Sequence, residues 1–215
     1  MNECRFPFRR GVRNPAYSAS KIVSFCVFRL KGKGLRMRYL VISSSLSEKS
    51  RSRRLADLAL RNLRGVGQSA DWLDLREHPL PLCDGGTAYG NPGVAPVAAK
   101  VREADGILLA SPIYNYDLNA AAKNLVELTG ADCWSGKVVG FLAAAGGAGS
   151  YLSVFPLANS LMADFRCVVI PRFVYAVGSS FDADGNLVDE AVAERVGRLS
   201  RDLVGFAEGL SRVER

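Results

Sequence analysis

The sequence predicts an α/β fold, a doubly wound parallel sheet with helices on both faces. Two observations carry it. Five short apolar runs of strand length alternate with five stretches whose apolar residues recur at helical spacing. Apart from the run at 69–75, the strand-like runs are also apolar at consecutive rather than alternate positions, as strands buried on both faces are.

The elements follow in order. Arg38-Tyr39-Leu40-Val41-Ile42-Ser43 reads as the first strand, and a hydroxyl-rich loop at 44–52 follows. Leu55, Leu58, Ala59 and Leu63 mark an amphipathic helix that Gly65 stops. Residues 69–75 form the second strand. A long irregular connection then carries His78-Pro79-Leu80-Pro81 and Gly85-Gly86. A short helix at 94–104 leads to the third strand, 106–110, and a loop at 111–117 precedes a helix at 118–128. The fourth strand is 137–143, and it ends in a loop of small residues at 144–150. Leu152, Phe155, Ala158, Leu161, Met162 and Phe165 lie on the next helix, where Pro156 requires a nearby start. Residues 167–170 are the fifth strand, and 171–186 read as loop, with a turn at Asp184-Gly185. Val192, Val196, Leu199, Leu203, Phe206 and Leu210 define the last helix. With right-handed crossovers, the natural arrangement is a five-stranded flavodoxin-like sheet of order 2-1-3-4-5.

The chain has 215 residues, 48% of them hydrophobic, a mean hydropathy of +0.07 and a net charge of +7. The charge is uneven. Residues 1–36 hold nine Lys/Arg and one acid, whereas 37–215 hold 19 basic and 20 acidic residues. The basic character therefore belongs to the N-terminal piece, and no basic stripe with interleaved aromatics suggests a nucleic-acid surface. Residues 1–36 read as an extension to a domain spanning 37–215. They are a mis-assigned start ahead of Met37, a segment of transit-peptide composition, or a disordered arm. The five cysteines are widely spaced with no C-x-x-C, which favours reduced thiols in a cytoplasm over a metal site or disulfide framework. No apolar run reaches the ~20 residues that span a bilayer. The single histidine, His78, has no nucleophile motif beside it.

Three loops fall at the carboxyl edge of such a sheet, where ligands bind. Loop 43–52, between a strand and a helix N-terminus, suits an anion, with Ser hydroxyls and backbone N–H groups as donors. Ser111-Pro112-Ile113-Tyr114-Asn115-Tyr116 offers flat aromatic and amide groups suited to a flat, polar-edged ring. Gly146, Gly147 and Gly149 permit close backbone approach to a ligand, the alternative being a turn that needs positive φ. A phosphate cradle and a ring wall on either side of the switch point argue for a mononucleotide such as FMN.

Residues 37–210 resemble the NADPH-dependent FMN reductase family, flavodoxin-like NAD(P)H-dependent quinone, azo-dye and chromate reductases. Pro112-Ile113-Tyr114-Asn115 with Lys123-Asn124 is similar to that family's P-x-Y-N loop and L-K-N helix, and residues 145–149 to its glycine loop. Ser45-Leu46, Ser50 and Arg53 resemble its phosphate loop. Ser44, Ser47 and Ser52 stand where the family has glycine, arginine and asparagine, and Leu118-Asn119-Ala120 where it has isoleucine-proline-glycine.

The resemblance implies that Ser45, Ser47, Ser50 and Ser52 bind the FMN phosphate. It implies that Pro112, Ile113, Tyr114 and Asn115 pack along the isoalloxazine, and that Gly146 and Gly147 donate backbone hydrogen bonds to its pyrimidine edge. It also implies hydride transfer from NAD(P)H to flavin N5 with no protein catalytic residue, then reduction of a small-molecule flavin, quinone, azo or similar acceptor. A homodimer or homotetramer is expected. The competing readings are a flavodoxin-type electron carrier and a non-catalytic FMN-binding protein.

Overall fold

The computed structural model describes residues 37–213, and the expectations for 1–36 lie outside the described residues. Seven strands form the sheet: β1 (Arg38–Ser43), β2 (Ser69–Asp74), β3 (Gly106–Tyr114), β4 (Asp117–Leu118), β5 (Val138–Ala144), β6 (Val168–Val169) and β7 (Val174–Ala176). The parallel order is β2-β1-β3-β5-β6, with β7 also pairing β5 and β4 antiparallel to β3. Since β4 only folds back on β3, the five main strands keep the expected 2-1-3-4-5 order, switching direction between β1 and β3.

The helices are α1 (Arg51–Gly65), α2 (Val94–Glu103), α3 (Ala120–Thr129), α4 (Ala131–Trp134), α5 (Phe155–Phe165) and α6 (Glu190–Val213). Successive side chains along each strand point to opposite faces, so apolar runs feed two cores. Tyr39, Val41, Leu108 and Leu142 pack under α1 and α6 with Leu55, Val196 and Leu203. Leu40, Ile42, Leu109 and Phe141 pack under the other helices with Val97, Leu125, Trp134 and Leu161. Gly140 lets α6 sit close, because a Cβ there would lie 2.8 Å from Leu108 Cδ2 and 3.1 Å from Leu199 Cδ1. Among the described residues no helix is long and apolar enough to cross a membrane.

Three expectations are corrected. The fifth strand, expected at 167–170, is only Val168–Val169, and pairing with β5 resumes at Val174–Ala176 inside the expected loop. Pro171 has no N–H for the ladder, so the edge strand breaks there. The helix expected from Leu152 starts at Phe155, after a 3₁₀ segment at Ala148–Val154, because Pro156 belongs in the first helical turn.

The third correction concerns 111–117, which is not an open strand-to-helix loop. β3 continues through Tyr114 and turns back into β4, with Ile113 opposite Leu118 and Tyr114 opposite Asp117. Helix α3 accordingly begins at Ala120 rather than 118. The two turn residues, Asn115 (φ 50°) and Tyr116 (φ 66°), both take positive φ, as a tight hairpin twisted like its strands requires. Asparagine tolerates this conformation, but tyrosine does not do so readily. Tyr116 is 55% exposed, so packing does little to offset the strain. Tyr116→Gly is expected to stabilise the fold by about 0.5–1 kcal/mol, the left-handed penalty less the entropy of glycine. A higher urea midpoint at unchanged slope is the result that checks it.

Candidate functional site

A cleft of about 490 Å³ opens at the carboxyl edge of the sheet, where the segments after β1, β3 and β5 converge. Its charged end is the loop from Ser45 into α1. Ser50 is the N-cap, and Arg53 N–H donates to its Oγ at 3.1 Å. That leaves the earlier N–H groups of the helix turned outward, at the positive end of its dipole. The first turn has no acidic residue, and Lys49, Arg51, Arg53 and Arg54 line the cleft. The side walls carry Glu48, which pairs with Arg76, and Asp184.

The serine hydroxyls keep protons for a ligand. Ser45 Oγ accepts from Ser47 N–H at 3.3 Å, so its own proton is uncommitted to that contact. Ser50 and Ser52 lie 3.1 Å apart, and one of their two protons serves that contact. A hydroxyl accepts and donates at once, so cap and anion donor are compatible roles. Of the expected phosphate residues, Ser45, Ser47, Ser50 and Ser52 all line the cleft.

Arg53 is anchored from below. Its Nη2 pairs with Asp74 Oδ2 at the carboxyl end of β2, and Asp74 Oδ1 accepts from Arg76 N–H at 3.0 Å. Asp74 is 1% exposed. Arg53 Nε is buried with no hydrogen-bond partner, so one donor of this guanidinium is left over by the protein. Farther along α1, burial pushes the Asp57 carboxyl up, against the pull of Arg61, Arg54 and Arg53.

The opposite end is neutral. Pro112, Ile113 and Tyr114 form one wall and Ala144, Ala145 and Gly146 another. Gly146, Gly147 and Gly149 have no left-handed φ, and a Cβ at any of them would meet nothing within 4 Å. Neither turn geometry nor a protein neighbour therefore asks for glycine there. Of the three, Gly146 lines the cleft, so the space beside its backbone is open to an occupant. The loop is braced from behind by Tyr175, whose hydroxyl donates to the Gly147 carbonyl at 2.7 Å, and Tyr151 stacks on Phe173 at 4.7 Å beside it.

Two expected residues stand apart. Asn115 sits in the hairpin turn and Gly147 follows Gly146, and neither is among the residues that line the cleft. One contributor went unseen in the sequence: residues 183–185, which also line the cleft. A turn signal at Asp184-Gly185 marked the bend, with Gly185 at φ +78°, but nothing local says what it faces. Burial raises the Cys167 thiol to about 12 and raises that of Cys133, so both are poor nucleophiles. No group of His, Cys, Asp and Glu suited to a metal ion occurs among the described residues. The arrangement can hold a dianion at one end and a flat, polar-edged ring at the other.

The chain is similar to known proteins in sequence and in fold. The family model for NADPH-dependent FMN reductase matches residues 37–182. A probable NADPH:quinone oxidoreductase of Oryza sativa subsp. japonica is 32% identical over 148 residues, 65% of this chain and 75% of the relative. An NAD(P)H-dependent FAD/FMN reductase of Geobacillus thermodenitrificans is 33% identical over 134 residues, 61% of this chain and 72% of the relative. Among solved structures, a flavoenzyme NAD(P)H:(acceptor) oxidoreductase from Paracoccus denitrificans superposes with a TM-score of 0.65 at 21% identity, covering 80% of this chain and 98% of its own. That last likeness concerns the fold.

Proposed function

The chain belongs to the NADPH-dependent FMN reductase family, and from that premise we propose that it oxidises NAD(P)H on a bound FMN and hands the electrons to a flavin, quinone, azo or similar small-molecule acceptor. The observation that carries the reading is one cleft with two unlike ends. A helix N-terminus flanked by Lys49, Arg51, Arg53 and Arg54 shares the cleft with a neutral end of Pro112, Ile113, Tyr114, Ala144, Ala145 and Gly146, where protein packing does not require the glycine.

The residues present fit FMN. Outward N–H groups at the start of α1, the hydroxyls of Ser45 and Ser47, the one proton left over between Ser50 and Ser52, and the leftover Arg53 Nε–H suit its phosphate. Pro112, Ile113 and Tyr114 suit the face of its ring, with Asn115 supporting them from the turn. Gly146 suits its polar edge through the backbone, and Gly147 shapes the loop that presents it. When bound, FMN supplies the hydride-accepting chemistry at its N5. The chain's part is to bind, orient and neutralise charge, and it needs no nucleophile of its own. Relatives named as NADPH:quinone oxidoreductases support quinone-type acceptors. The half-exposed Tyr151, Leu152 and Phe155 beside the glycine loop support a homodimer or homotetramer. The reading includes a cytoplasmic site of action.

The test is the visible spectrum of the full-length protein before and after anaerobic addition of NADPH or NADH. A yellow protein that bleaches is the expected result. A protein that neither takes up added FMN nor oxidises a nicotinamide overturns the reading. Flavin that binds but is reduced by neither nicotinamide points instead to a carrier or a non-catalytic binder.

A further inference from the structure

Beneath the cleft, at the seam between its two ends, lies a small buried polar cluster. Ser44 follows β1 and immediately precedes Ser45 of the charged end. Ser111 lies in β3 and immediately precedes Pro112 of the ring wall. Asn119 stands just before α3. All three are buried, at 0%, 0% and 6% exposure. Ser44 Oγ donates to Asn119 Oδ1 at 2.7 Å, and Asn119 Nδ2 donates back to the Ser44 carbonyl at 2.8 Å. Asn119 N–H donates to Ser111 Oγ at 3.2 Å, and the Ser111 hydroxyl lies 3.0 Å from Asn119 Oδ1.

The Asn119 side chain thus grips both the donor and the acceptor of the residue that begins the anion loop. Its backbone N–H is held in turn by Ser111, on the strand that carries the ring wall, and the Ser111 hydroxyl, with its single proton, lies 3.0 Å from both Asn119 Oδ1 and the Pro112 carbonyl. The Ala110 carbonyl is also 3.0 Å from Ser44 Oγ, but it already accepts from Ser44 N–H. A hydroxyl has one proton, and the shorter contact to Asn119 is the better claim on it. Such a reciprocal, buried pair has one arrangement rather than several, because a partner lost there leaves a polar group unsatisfied.

We infer that Ser44 and Asn119 are a positioning pair that sets the spacing between the phosphate end and the ring end of the cleft. They touch no ligand themselves. The β3–β5 ladder and the β3–β4 hairpin hold the ring wall without the Asn119 side chain, whereas the first residue of the anion loop is held to β3 by its own N–H and, past the end of the β1–β3 ladder, by the Asn119 side chain. The pair therefore matters most to a ligand that must engage both ends at once. The inference rests on the FMN reading above.

Riboflavin carries the ring without the phosphate, so the comparison with FMN isolates the coupling. Dissociation constants for both are measured by flavin fluorescence on the full-length protein, as wild type, Ser44→Ala, Asn119→Ala and the double variant. FMN affinity is expected to fall roughly tenfold in each single variant while riboflavin affinity stays within about twofold, because only the two-ended ligand loses pre-organisation. The double variant is expected to be no weaker than the weaker single, since both changes break one unit. Ser44→Ala keeps the carbonyl contact to Asn119 and carries the test should Asn119→Ala not fold. Equal losses for FMN and riboflavin, or no loss for either, overturn the inference while leaving the FMN reading intact. A wild-type protein that binds no FMN overturns both.

Discussion

Gly146→Val is expected to leave the fold intact and to cost roughly 10- to 100-fold in FMN affinity, the equivalent of forcing ~1–3 kcal/mol of overpacking onto a bound ring. The two halves of this expectation come from the same observation. Gly146 lines the cleft, has no left-handed φ, and offers a new Cβ no protein atom within 4 Å. A glycine demanded by a turn behaves oppositely, since a side chain there strains the backbone before any ligand arrives. Urea unfolding should therefore move by less than about 0.5 kcal/mol, as for open surface positions. FMN binding and flavin-dependent NAD(P)H oxidation should fall together. A variant that unfolds easily yet still binds FMN would return the loop to a purely structural role.

Asp74→Asn is expected to destabilise the protein by about 2–3 kcal/mol, somewhat less than a fully buried pair loses with one partner, because Arg53 is 19% exposed. The carboxylate is itself 1% exposed and holds Arg53 against the start of α1. With the charge gone, the guanidinium is left partly buried among Arg51 and Arg54, and its Nε has no partner to begin with. A ligand that supplies negative charge at the same place should restore part of the loss, because whatever binds only the folded state stabilises it. Saturating FMN is accordingly expected to raise the urea midpoint of Asp74→Asn more than that of the wild type. Equal shifts would show that Arg53 belongs to the scaffold alone.

Much of this architecture was legible from residue order. The strands at 38–43 and 137–143 announce themselves because a sheet covered on both faces needs apolar residues at successive positions. The steps of three and four from Val192 to Leu203 mark the face the last helix buries, although farther on Ala207 is buried and Phe206 is exposed. The hairpin after β3 was hidden because its turn is Asn-Tyr, without the glycine that usually announces such a turn. The edge strand was read whole because the apolar run ends at Ile170, and the resumption beyond Pro171 depends on what β5 offers as a partner.

Periodicity and caps act within a few residues, so they set the elements, the sheet order and the loops that reach its carboxyl edge. What occupies those loops' common space was decided by contacts with no local signature. Asp74 meets Arg53 across 21 residues and Asn119 meets Ser44 across 75. Residues 183–185 line the same cleft as Ser45. Such pairings exist only once crossovers have brought distant strand ends side by side. The energy that selects them is the cost of leaving a buried charge or amide unpaired, which a chain read residue by residue does not display.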